Sequence, residues 1–244
     1  EYANRKRPGA PDGEPVGQAD RDYHAWRSRG LGGNPTTGAE ENLLGYPGTR
    51  YFGEHIFVHE FAHAIMSNLR GLEPETGKER WVTDLAVKPI SYGDFTSRGV
   101  SLWADPAARA GAPCALRVIV ATIDARLTAL DAKDGRRCSG FGDGGTVDLR
   151  LKLRNAPFEM EEYEVTSPPA VVNGVIVVGS AVADNSRINA ASGEVRGYDA
   201  RTGALRWTWD SVPQDSTDPG WRTWIGPNAH QTGGANAWSV LAAD

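Results

Sequence analysis

The chain has 244 residues, a net charge of −5 and a pI near 5.6, a balance that disfavours a nucleic-acid partner. Apolar residues make up 40%, enough for a packed core and too many for wholesale disorder. No apolar run reaches the roughly 18 residues of a membrane span, and the basic cluster Arg5-Lys6-Arg7 reads as a solvated tail.

Residues 1–50 are rich in Gly, Pro, Asn and charge and predict an irregular segment. Residues 53–70 predict one helix. Ile56, Phe57, Phe61, Ala64, Ile65 and Leu69 recur at three- and four-residue steps, Arg70 suits the last turn, and Gly71 is the expected stop. Within it, His59-Glu60-Phe61-Ala62-His63 matches H-E-x-x-H. On a helix His59 and His63 share a face and can share a Zn²⁺, and Glu60 can take a proton from the metal's water. A catalytic zinc needs a third ligand. Leu69 stands where one extended pattern has a third His; His24 and His230 are distant in sequence, Glu73, Glu75 and Glu79 follow closely, and a third ligand would have to come from an unexpected place such as Glu79 or His230.

From about Glu75 the pattern is β. "RVIVAT" (Arg117–Thr122) and "RLTALDA" (Arg126–Ala132) predict two strands with a turn at Asp124. "PAVVNGVIVVGSA" places Asn173-Gly174 between two Val/Ile runs, a two-residue hairpin signal. "EVRGYDARTGALRWTWD" predicts another hairpin, turning near Thr202-Gly203. A weak repeat links "PETGKERW", "DAKDGRRC" and "DARTGALRW". Each has a turn glycine (Gly77, Gly135, Gly203), and the outer two carry a Trp four residues later (Trp81, Trp207). Ser139 holds that place in the middle copy. Such punctuation points to β-propeller blades, with an antiparallel sandwich as the alternative.

Cys114 and Cys138 are the only cysteines. They flank one predicted hairpin and would pair in an exported chain; in a cytosolic one they would be free thiols. Glu1 is not Met, which suggests a processed or partial product.

Two resemblances enter. "RGLGGNPTTGAEENLL" followed by "RYFGEHIFVHEFAHAI" resembles secreted or surface-associated zincin-like proteins, over residues 20–73, and implies Zn²⁺ on His59 and His63 with Glu60 as the base. In that group the third ligand is a Glu on a later helical segment, which is missing here. The longer stretch, 75–244, resembles the pyrroloquinoline quinone (PQQ) dehydrogenases of the glucose and alcohol type. Its blocks are "SRGVSLW", "ATIDARLTALDAKDGRRCSGFGDGGTVDL", "EVTSPPAVVNGVIVVGSAVADN", "SGEVRGYDARTGALRWTWD" and "ANAWSVLAAD". That family has an eight-bladed propeller, PQQ near the axis and a bound Ca²⁺ or Mg²⁺, and oxidises a sugar or alcohol hydroxyl.

The quinoprotein resemblance implies a role for several residues. Arg98 matches a carboxylate-binding arginine, Thr166 a hydroxyl donor and Trp238 the tryptophan stacked on the quinone, with Ser180 as a further cofactor-binding residue. Asp184 and Asn185 match the oxygen ligands of the cation. The family's catalytic aspartate and a quinone-contacting lysine would lie beyond Asp244.

The expectation is therefore a mainly β chain. A zincin-like segment, 1–73, with one HExxH helix precedes about three blades of a partial propeller, 74–244, the two joined as a fusion at "GLEPETGKERW". The expected activity is PQQ-dependent oxidation of a sugar or alcohol in the periplasm or outside the cell, with another chain completing the propeller. A zinc metallopeptidase and a non-catalytic β-rich binding module are the alternatives.

Overall fold

Strand pairing in this chain is antiparallel throughout the named strands. The structure, a computed structural model, describes residues 30–31, 37–38, 68–87, 99–183 and 187–242. The chain divides into two units, Glu1–Ile65 and Met66–Asp244. In the first, Gly30–Leu31 (β1) pairs with Thr37–Gly38 (β2). The predicted helix over 53–67 lies outside the described residues.

The second unit opens with a hairpin of Asn68–Leu72 (β3) and Glu79–Asp84 (β4). Residues 68–70 are therefore strand, not the end of a helix. Asn68, Leu69 and Arg70 stand opposite Asp84, Thr83 and Val82. Gly71 is no helix stop either. It stands opposite Trp81, and a Cβ there would fall closer than 3.0 Å to the indole. A large ring lying across the facing strand needs bare backbone beneath it, and this pairing overrides the helical stripe. The hairpin also crosses the expected 73/74 boundary, so residues on both sides of the supposed join form one ladder.

Next comes a four-stranded sheet in simple order: Ser101–Ala104 (β5), Leu116–Ala121 (β6), Arg126–Asp131 (β7) and Thr146–Asp148 (β8). After Tyr163–Glu164 (β9), a second sheet begins with Ala170–Val172 (β10) and Val175–Val178 (β11). The chain then leaves it through Ala181–Val182 (β12), which pairs with β9. It returns as Val195–Asp199 (β13) and Leu205–Trp209 (β14), giving the order β10-β11-β13-β14. The Asn-Gly signal is borne out. Val172 pairs with Val175, and Asn173 and Gly174 take φ of 48° and 73°, the left-handed pair that a two-residue hairpin needs.

The weak repeat is a structural one. Glu73, Asp131 and Asp199 each accept the amide of the repeat glycine, Gly77, Gly135 and Gly203, at 2.8 Å. In all three copies φ of that glycine is near 70°, at 67°, 73° and 73°.

β6 explains how the sheets stack. Its apolar run is buried on both faces. Val118 and Val120 join Leu85 and Leu130 in a cluster that packs on Leu69 and Trp81. Ile119 and Ala121 face a larger cluster with Leu127, Phe141, Tyr163 and Ile176. The β3–β4 hairpin, the β5–β8 sheet and the β10–β14 sheet therefore stack in sequence order, as a partial β-propeller.

Each junction has a polar fastener. At the first, Trp81 Nε1 donates to the Ala132 carbonyl at 3.0 Å. At the second, the middle repeat has no Trp. Arg117, buried at the start of β6, donates from Nη1 to the carbonyls of Ala200 (3.1 Å) and Arg201 (2.6 Å). Ala200 occupies the same place in its turn as Ala132 does in its own. Arg117 lies over the Trp103 ring at 5.2 Å and donates from Nε to the Cys114 carbonyl at 3.1 Å. Cys114 is disulfide-bonded to Cys138, as expected for an exported chain.

Candidate functional site

The segment Gln231–Trp238 forms no regular strand, yet it is anchored along its length. The Gly233 and Gly234 amides donate to Ile188 and Ala191, both at 2.9 Å. Ser180 donates its amide to the Ala237 carbonyl at 3.2 Å. The Trp238 carbonyl accepts from Ser167 Oγ at 2.5 Å and from Thr166 Oγ1 at 3.4 Å. The structure thus brings Thr166, Ser180 and the Trp238 segment together, three of the sequence-predicted residues, from three separate stretches of chain.

Their exposures differ in an informative way. Thr166 and Ser180 are 3% and 1% exposed, whereas Trp238 is 54% exposed. Ser180 Oγ is buried with no hydrogen-bond partner among the described residues. A hydroxyl left so is costly and marks a place where a polar ligand atom fits. The exposed Trp238 follows directly on Ala237, whose carbonyl accepts the Ser180 amide.

Arg98, Asp184 and Asn185 lie outside the described residues, as do His59, Glu60 and His63. The flanks of the Asp184-Asn185 stretch are described, and both are tied to Glu162. Ala183 donates its amide to the Glu162 carbonyl at 3.0 Å. Arg187 forks onto the Glu162 carboxylate at 3.0 and 2.5 Å. That carboxylate also accepts the amides of Phe158 (2.5 Å) and Ala191 (3.1 Å). Burial opposes its charge, but Arg187 and these two amides outweigh that and hold the carboxyl below its ordinary range. Sequence reading missed Glu162, Arg187 and Ser167. Ser167 sits in the "TSPP" block and was legible as a second hydroxyl.

Both candidates for a third zinc ligand have other partners in the structure. His230 is stacked on Trp221 with centroids 3.4 Å apart, and its Nδ1 lies 2.8 Å from the Pro213 carbonyl. Glu79 is paired with Arg70 across the hairpin. Among the described residues no group of three or more His, Cys, Asp or Glu could hold a metal, and no helix is long and apolar enough to cross a membrane. A separate groove beside Trp103 and Asn173 contains two arginines, each already paired: Arg201 with Asp105 and Arg206 with Asp199.

The family described as glucose/ethanol/alcohol dehydrogenase, beta-propeller domain (PQQ), matches residues 56–244. The chain belongs to this quinoprotein family. The glycerol dehydrogenase large subunit of Gluconobacter oxydans is 37% identical over 184 residues, 74% of this chain and 24% of the relative. The quinate/shikimate dehydrogenase (quinone) of Acinetobacter baylyi is 31% identical over 233 residues, 90% of this chain and 27% of the relative. A solved quinohemoprotein alcohol dehydrogenase from Pseudomonas putida superposes with a TM-score of 0.51 at 28% identity, covering 73% of this chain and 24% of that one. The chain spans about a quarter of the length of these relatives.

The quinoprotein match begins at residue 56, so it takes in His59, Glu60 and His63 and runs through the supposed join. One family model covers both sides of that join, and nothing in these comparisons supports a fusion there. Nothing in these comparisons supports a zincin-like segment or a zinc site.

Proposed function

We propose that this chain forms part of a PQQ-dependent dehydrogenase that oxidises a sugar or alcohol hydroxyl, and that Thr166, Ser180 and Trp238 form one side of its quinone site. The observation that carries this reading is the buried, unpartnered Ser180 hydroxyl beside the segment that presents Trp238. Trp238 would supply the flat face. Ser180 and Thr166, with the guanidinium of Arg98, would hold the carboxylates at the rim. Asp184 and Asn185 would supply oxygen ligands to Ca²⁺ or Mg²⁺. When bound, the quinone accepts two electrons from the hydroxyl-bearing carbon, and the cation polarises its reactive carbonyl. Glu162 holds the two flanks of the Asp184-Asn185 stretch, through its carbonyl to the Ala183 amide and its carboxylate to Arg187.

The relatives' names, glycerol, glucose, alcohol and quinate dehydrogenases, support a polyol, sugar or alcohol substrate. The Cys114–Cys138 disulfide supports an oxidising compartment such as the periplasm. A further sheet, from this polypeptide or another, would receive Trp207 as the β5–β8 sheet receives Trp81. Trp207 lies over Gly197 in the same register, with 41% of its surface exposed. The test is equilibrium binding of PQQ with Ca²⁺, read by absorbance. Saturable binding that Ser180→Ala and Trp238→Ala each weaken is the expected result. Absence of saturable binding to the folded protein overturns the reading.

A further inference from the structure

Three glycines lie where the Gln231–Trp238 segment meets the underlying chain: Gly179, Gly193 and Gly233. None of them has positive φ, so none is required by its own backbone conformation. What they share is close approach. A Cβ on Gly179 would fall closer than 3.0 Å to the Ala237 carbonyl oxygen. One on Gly193 would do the same to the Ala235 carbonyl oxygen and to Asn236. One on Gly233 would strike the carbonyl oxygens of Ala190 and Ala191. Each glycine meets at least one backbone carbonyl oxygen this way, and such an atom cannot swing aside as the far end of a flexible side chain would.

Polar anchors hold the segment onto this glycine track. Asn155 Nδ2 donates to the Gln231 carbonyl at 3.0 Å, and Arg154 Nη2 to the Thr232 carbonyl at 2.9 Å. Ser211 Oγ donates to the Ala235 carbonyl at 3.2 Å. The amide and hydroxyl bonds at Gly233, Gly234, Ala237 and Trp238 complete the series. Their lengths require the two backbones to be in contact, and only residues without a Cβ permit it.

We propose that Gly179, Gly193 and Gly233 are positioning residues that hold the main chain carrying Trp238 against Thr166, Ser167 and Ser180. Adding one methyl group at any of them lifts the segment, breaks the Ser180–Ala237 and Gly233–Ile188 bonds, and shifts the main chain that presents Trp238. This rests on the reading of Trp238 as the face of the quinone site.

The test is hydrogen–deuterium exchange on the whole chain, paired with PQQ binding in the presence of Ca²⁺. Gly179→Ala and Gly193→Ala should raise exchange at Ser180, Gly233 and Gly234 at least tenfold. Exchange in β6 and β7 should stay as it was, and the Kd for PQQ should rise tenfold or more. Gly140→Ala is the control, since nothing lies within 4 Å of a Cβ there and its φ is not positive; both readouts should stay at wild-type values. If Gly179→Ala fails to fold, Gly233→Ala puts the added methyl on the segment itself, against the Ala190 and Ala191 carbonyls, and is read at the same amides. Unchanged exchange in the folded glycine variants overturns the positioning role, whatever PQQ does. Raised exchange with PQQ affinity that is also indifferent to Trp238→Ala retains the track and overturns the quinone reading beneath it.

Discussion

Trp81 and Trp238 both depend on glycine, and they differ in what the glycine receives. At the first sheet junction the Trp81 ring itself lies over Gly71 and against Gly135, and its N–H is used on the Ala132 carbonyl. At the candidate site the backbone beside Trp238 lies on glycine, and the ring is left 54% exposed. The first arrangement uses an indole as a fastener between sheets. The second fixes a main chain so that an indole is presented. Sequence alone linked Trp81 to its repeat glycine and gave Trp238 only through the family resemblance.

This contrast breaks most visibly at Trp81. Trp81→Ala should cost about 3 kcal/mol of stability, the usual range for removing a packed Trp, read as a lowered midpoint in chemical denaturation. Reducing the Cys114–Cys138 disulfide opens a loop with a sequence separation of 24. That should cost about 3 kcal/mol by loop entropy, and a melt with and without reductant measures it.

Arg117→Ala sharpens the comparison between the two junctions. If the guanidinium does at the second what Trp81 does at the first, its loss leaves the Ala200 and Arg201 carbonyls without their donor and costs about 2 kcal/mol. Arg117→Lys should recover little, because a single ammonium cannot replace the forked donor. A full recovery would mean that charge alone matters there.

A smaller effect is expected in acid. Burial disfavours the charged form of Asp199, but the Thr202 and Arg201 amides, the Thr202 hydroxyl and Arg206 hold its carboxyl down at about 2. The unfolded value is 3.8, so its contribution is complete above that pH and is lost as pH falls through about 2. Asp199→Asn should therefore flatten the stability profile between those two values by about 1–2 kcal/mol. An unaltered profile would show that this turn does not depend on the charge.

Much of the sheet architecture was legible. Asn173-Gly174 announced its hairpin, and the repeat glycines marked three equivalent turns, because left-handed backbone has few residue solutions. β3 was not legible. Leu69 fits the end of a 3.6-residue stripe, and nothing local reveals that Gly71 is reserved for the ring of Trp81 ten residues on. Arg117 was hidden for a similar reason, since its acceptors lie more than eighty residues away. At the site, Thr166, Ser180 and Trp238 were placed by family likeness. The glycines beneath the Trp238 segment were silent, because a glycine needed for close approach looks no different in sequence from one needed for a turn. The HExxH reading gains no support, and a five-residue match on an amphipathic pattern carries little weight beside a family match that runs straight through it.

The most direct measurement of the central claim compares PQQ binding, with Ca²⁺ present, between the unaltered chain and Trp238→Ala, alongside denaturation of both. The account predicts saturable binding weakened at least tenfold in Trp238→Ala, with stability changed by less than about 1 kcal/mol for so exposed a side chain. Equal affinity in the two proteins, or a loss of stability matching that of Trp81→Ala, would contradict it.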